Sequence, residues 1–89
     1  MNLISRIFYR TPGFVAVYQK QTADGYVAQC AQRHEKGEFA DALDLCTAAL
    51  AIYMQLNEYT TIIPGLKDGL FWADVAQTTV TLIPLQFSE

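Results

Sequence analysis

One histidine, two cysteines and five singly placed glycines are little material for a reactive centre. A nucleophile, a base and a group to orient the base cannot be drawn from them in any working spacing. No glycine-rich run is present to cradle a phosphate. The string His34-Glu35-Lys36-Gly37-Glu38 lacks the second histidine of a zinc-protease helix and puts a glycine where that helix would continue. The chain is therefore expected to be no enzyme, with no cofactor, no metal and no small-molecule substrate.

Charge is also scarce, at 17% of residues. Positions 1–23 carry Arg6, Arg10 and Lys20 and no acid, a local charge of +3. The remainder sets Arg33, Lys36 and Lys67 against nine acids, a charge of −6, so the net is −3. An acidic body argues against nucleic acid as a partner. No run of 18 uncharged apolar residues exists; the nearest, Leu70–Phe87, contains Asp74 and Pro84. A transmembrane helix is not expected on that count. Nor does the start have the apolar stretch and small cleavage residues of a secretory signal.

What the chain does have is apolar surface. Hydrophobic residues make up 52% of the sequence and mean hydropathy is +0.13. At 89 residues it is one domain, and chains this short bury only about 60–65% of their unfolded surface. Some apolar side chains should then face a partner. Five phenylalanines, five tyrosines and one tryptophan are more than so small an interior can hold. Phe71 and Trp72, outside the best-patterned segment, are the expected partner anchors.

The segments divide as 1–21, a basic amphipathic start; 22–57, a helical hairpin; and 58–89, a packing segment. In the first, Leu3, Ile4, Ile7 and Phe8 alternate with Arg6 and Arg10, as in a short amphipathic helix that Thr11-Pro12-Gly13 should break. Phe14–Lys20 reads as a further helical turn or two. Residues 1–20, through Arg6 and Arg10, could meet anionic lipid or an acidic protein face. An acid-free, arginine-bearing start also resembles a mitochondrial targeting segment, so mitochondria are the expected compartment and the cytoplasm the alternative.

In the second segment, Thr22 or Asp24 can cap a helix running to about Lys36, with Gly37 at its end. A second helix from Phe39 to Leu56 places Phe39, Ala42, Leu43, Cys46, Ala49, Leu50, Tyr53 and Leu56 in one stripe at 3–4 spacing. Asn57 suits a left-handed stop. Beyond it, Tyr59–Ile63 is β-branched and reads as an extended connection. Residues 66–87 fit either a helix, with Leu70, Phe71, Val75 and Val80 inward, or a strand over 78–87. The expected class is all-α: an antiparallel helical hairpin with short flanking helices, and a C-terminal tail whose extended form stays open.

Tyr26 and Cys30 in the first helix, Gly37 and Phe39 at the turn, then Ala42, Ala49 and Leu50 follow a known spacing. The hairpin resembles a single tetratricopeptide repeat over about 34 residues. It departs from that pattern at Arg33, Cys46 and Met54. Such repeats bury their faces by stacking, so the resemblance implies an interaction module needing flanking segments or a partner. Phe8-Tyr9-Arg10 is faintly similar to the Leu-Tyr-Arg signature of small mitochondrial assembly factors, although Thr11-Pro12 interrupts the helix those proteins need.

The expected function is a non-catalytic protein-interaction subunit or assembly factor of a larger complex, whose partners are other protein subunits. One alternative is a small bacterial chaperone or adaptor holding an amphipathic helix of a secretion or signalling partner. Another is a metal- or redox-active domain using Cys30, His34 and Cys46. Cys30 and Cys46 lie eight residues either side of Glu38. They can be bridged by a disulfide, or serve as two small buried thiols at a helix crossing.

Overall fold

The computed structural model describes residues 12–62 and 70–87. Three helices account for them: α1 Pro12–Glu35, α2 Phe39–Ile62 and α3 Leu70–Phe87. The chain is all-α, with α2 packed against both α1 and α3. Arg6, Arg10 and the rest of positions 1–11 fall outside the described residues, as does Pro64-Gly65.

The hairpin turn is local chemistry. Gly37 has φ +78°, the left-handed conformation that glycine enters without steric cost. The Glu38 amide donates to the Arg33 carbonyl at 2.9 Å and the Gly37 amide to the His34 carbonyl at 3.1 Å. That pair of bonds is a Schellman cap. Glu38 then starts α2, its carbonyl accepting from the Ala42 amide at 3.0 Å, while its carboxylate takes a 2.7 Å ion pair from Arg33.

Both hairpin helices overrun their expected ends. Pro12, read as a breaker, opens α1 instead, since the first helical position tolerates proline's missing N–H. Neither Thr22 nor Asp24 caps a helix. Thr22 bonds back to the Tyr18 carbonyl at 3.1 Å, and Asp24 pairs with Lys20 at 2.8 Å. Asn57 does not stop α2; its side-chain amide donates to Thr79 at 3.1 Å, and α2 continues through the β-branched stretch to Ile62. Tertiary contacts outweigh the small propensity differences that suggested a boundary there.

Helix, rather than strand, is the form of the last segment. Trp72, Val75, Thr79 and Leu82 are its buried residues, and their 3–4–3 spacing makes a single inward stripe. The face is rotated from expectation: Val75 is inward as anticipated, but Leu70 is 90% and Val80 64% exposed. The threonines fit the helix because their hydroxyls are satisfied within it, Thr79 on the Val75 carbonyl and Thr81 on the Gln77 carbonyl. Pro84 stands three residues before the end, so the single backbone bond it removes lies in the last turns of the helix.

The core is thin. Its buried apolar residues are Ala16, Ala23, Cys30, Ala42, Cys46, Ala49, Leu50, Tyr53, Leu56, Trp72, Val75 and Leu82. Half are alanine or cysteine. Ala16, Ala23 and Cys30, seven apart, give α1 a seam of small side chains that lets its axis come close to α2. The larger buried side chains each contribute roughly 1.5–3 kcal/mol.

Two glycines give opposite expectations. Gly25 lies inside α1 with open space where a Cβ would go. Gly25→Ala should stabilise the fold by about 0.5–1 kcal/mol. Gly37→Ala, at a positive φ, should destabilise it by roughly 1–2 kcal/mol. Urea unfolding followed by circular dichroism reads both signs; a stabilising Gly37→Ala would contradict the Schellman turn.

Candidate interaction surface and the polar junction

Where α1 and α3 approach one another, a charged side chain ties the helices. The Lys20 ammonium donates to Asp24 at 2.8 Å and to Asp74 of α3 at 2.7 Å. It also lies 5.9 Å from the centre of the Phe71 ring, within cation–π range. On α2, the buried Tyr53 hydroxyl donates to the other oxygen of Asp24. One lysine, one tyrosine and two carboxylates thus link all three helices, and no spacing in the sequence shows it. Lys20 and Asp24 are an i,i+4 pair that any exposed helix could carry; Tyr53 and Asp74 join through the fold.

Burial alone would lower the Lys20 pKa, but hydrogen bonds and charge from Asp24 and Asp74 outweigh it and the net shift is upward. A firmly protonated amine in two ion pairs is a brace, not a nucleophile. Tyr53 is pushed well above the usual phenol range, first by burial and then by its bond to Asp24. Burial likewise raises the Cys46 thiol, helped by the charge of Cys30. All three groups keep their protons longer in the folded state than in the unfolded one. Above the ordinary values of about 8.5 for cysteine and about 10 for tyrosine and lysine, the unfolded chain therefore holds fewer protons and gains on the folded one. Across pH 7–11, these three groups should leave stability level up to about pH 8 and lower it as the pH rises past about 10. Urea midpoints between pH 7 and 11 test this, and Tyr53→Phe should flatten part of the fall. A midpoint unchanged at pH 11 would contradict it.

A shallow, open depression borders this junction, lined by Lys20, Leu70, Phe71, Ala73, Asp74 and Gln77. Its polar side chains Lys20 and Asp74 are already paired with each other.

Of the expected anchors, Trp72 is a core residue, 9% exposed. Phe71 is half-buried against the core and meets the Trp72 ring edge-on at 4.7 Å. Phe71 lies under Lys20 of α1 and Trp72 is buried in the common core, so both help to hold α3 in place. The exposed large apolar side chains are others: Val17 and Tyr18 on α1, Phe39 and Met54 on α2, and Leu70, Val80, Ile83 and Leu85 on α3. The run from Val75 to Ser88 contains no charged residue. On α3, Val80 and Ile83 are exposed close together on one side of the buried stripe, and Leu85 is exposed on the other. The helical pattern held this signal, but an inward placement of Val80 concealed it.

Cys30 and Cys46 are both free and buried. His34 is exposed at the turn, its ring edge-on to Phe39 at 5.1 Å. Among the described residues no group of three or more histidines, cysteines or acids converges as a metal site, so Cys30, His34 and Cys46 do not form one. Within α2, Phe39–Tyr59 is long and apolar enough to cross a membrane by length and composition. Its inward side supplies core residues to both helix pairs, as the central helix of a small bundle must.

Searches against protein families, curated proteins and solved structures found no match.

Proposed function

We propose that this chain is a non-catalytic interaction subunit or assembly factor that lays the side of α3 carrying Val80 and Ile83 on another protein of a larger complex. One observation supports the reading above the rest. Among the described residues, the eight large apolar side chains left exposed outnumber the six that are buried. Single exposed leucines are ordinary, but four large apolar side chains exposed on one 18-residue helix whose only charge is Asp74 favour association. The acids elsewhere, among them Asp41, Asp44 and Glu58, give the body a negative surround, which suits a partner with an apolar groove and a basic rim. The acid-free start with Arg6 and Arg10 supports a mitochondrial setting and contact with anionic lipid or an acidic protein face.

Affinity purification from the native source with mass spectrometry tests the reading. A multi-subunit assembly should co-purify with the native chain and be lost with Val80→Glu/Ile83→Glu. A single small helical client would favour a chaperone or adaptor instead. With purified protein, an apolar dye should bind the native chain and bind the double variant several-fold less. A cooperative monomer with no dye binding at micromolar concentration would remove the main support.

A further inference from the structure

We propose that Cys30 and Cys46 form a reversible dithiol–disulfide pair, oxidised by a small disulfide and reduced by a small thiol, that clasps α1 to α2. The register of the hairpin places them together. Tyr53 reaches Asp24 across the seam and the His34 ring meets Phe39, so positions equally far from the turn lie opposite one another. Cys30 and Cys46 are eight residues before and after Glu38. Both are buried in the same apolar cluster, with Ala23, Ala42 and Ala49 along the seam.

Small residues at a crossing hold helix axes at the near end of the usual 8–10 Å. With Cα atoms about 2.3 Å from each axis, facing positions come within roughly 3.5–5.5 Å before any stagger. A disulfide needs Cα atoms about 4.4–6.8 Å apart. Facing positions at that spacing fall in this range, and closure requires the Cys46 side chain to turn from the Leu82 carbonyl toward α1.

Exposure sets the order of events. Cys30 is 8% exposed and Cys46 1%, and burial keeps Cys46 protonated. Cys30, as its thiolate, attacks one sulfur of the small disulfide; that S–S bond breaks and one small thiol departs with the proton Cys30 gave up. Cys46 then loses its proton and attacks the Cys30 sulfur, expelling the second small thiol. The chain is oxidised by two electrons and the small disulfide is reduced to two thiols. Cys46 also ceases to donate to the Leu82 carbonyl, a 3.7 Å contact between α2 and α3, so the clasp strengthens one seam at the expense of a weak bond in the other.

The test equilibrates the full chain with mixtures of oxidised and reduced glutathione, quenches it by alkylation, and reads the intact mass and peptide map. The folded chain should lose two hydrogens, with the bridge mapped to Cys30 and Cys46. Its equilibrium constant for closure should be at least 100-fold above that of the same chain in guanidinium. Oxidation should raise the melting temperature on the order of 10 °C, reversibly on adding dithiothreitol. Cys30→Ser and Cys46→Ser should each show neither the bridge nor the rise. Two intact thiols in the folded chain, glutathione adducts without closure, a cross-linked dimer, or closure no more favourable than in guanidinium would each overturn the proposal.

Discussion

Replacing Trp72 with alanine is expected to destabilise the fold by about 3–5 kcal/mol, the cost typical of deleting a large buried aromatic. Only 9% of its surface is exposed, and its neighbours cannot close over the space. For a chain of this length such a loss approaches the whole folding free energy of about 5–15 kcal/mol. Trp72→Ala should therefore lose cooperative unfolding, or melt tens of degrees lower. Phe71→Ala provides the contrast. Half-buried, it should cost about 1–2 kcal/mol by partial loss of apolar burial and weaken the contact with Lys20. Thermal unfolding of the two variants separates a core role from a docking role for this pair. Equal and small effects would show that α3 is not held by Trp72.

The second large effect concerns the seam between α1 and α2. Ala49 is fully buried at the crossing. A leucine there must push the helices apart or adopt a strained rotamer, at a cost of typically 1–3 kcal/mol. Ala51, two residues on, is exposed. Ala51→Leu should change stability by no more than about 0.5 kcal/mol, as surface substitutions do. Urea unfolding of both variants reads the difference directly. Ala49→Leu should also reduce closure of the Cys30–Cys46 pair, since it widens the gap the disulfide must span. If Ala49→Leu were as stable as the native chain, the close approach of the two helices would be in doubt.

Much of the hairpin is written in short stretches of chain. Gly37 marks the turn because only a residue free of Cβ strain accepts φ +78°, and the signal needs no distant partner. The α2 stripe is equally local, since Ala42, Cys46, Ala49, Leu50, Tyr53 and Leu56 share a face by spacing alone and are buried, while Leu43 is half-buried and Phe39, placed in the same stripe, is 62% exposed. The ends were not legible for the opposite reason. Pro12 begins a helix as readily as it ends one. Asn57 could stop α2 or bond elsewhere, and it bonds to Thr79, 22 residues away.

The exposed apolar surface was half legible. Excess hydrophobicity was plain from composition, but which residues carry it depends on how α3 is rotated about its axis. Trp72, Val75, Thr79 and Leu82 form the inward stripe, whereas Leu70, Phe71, Val75 and Val80 were the residues expected inward. Trp72 decides between them, because a large ring seated against α2 buries more apolar area than Leu70 or Val80 could in its place.

The sequence by itself therefore determined that this chain is helical, where its hairpin turns, that small residues line the crossing, and that apolar surface exceeds what the body can hide. Each follows from periodicity, glycine geometry or composition, which act over one or two helical turns or over the chain as a whole. Only the tertiary structure decided how far the helices run, which side of α3 faces out, and that Lys20, Asp24, Tyr53 and Asp74 meet. Those outcomes depend on contacts between residues 22 to 54 positions apart, from Asn57–Thr79 to Lys20–Asp74, whose energies no local pattern encodes.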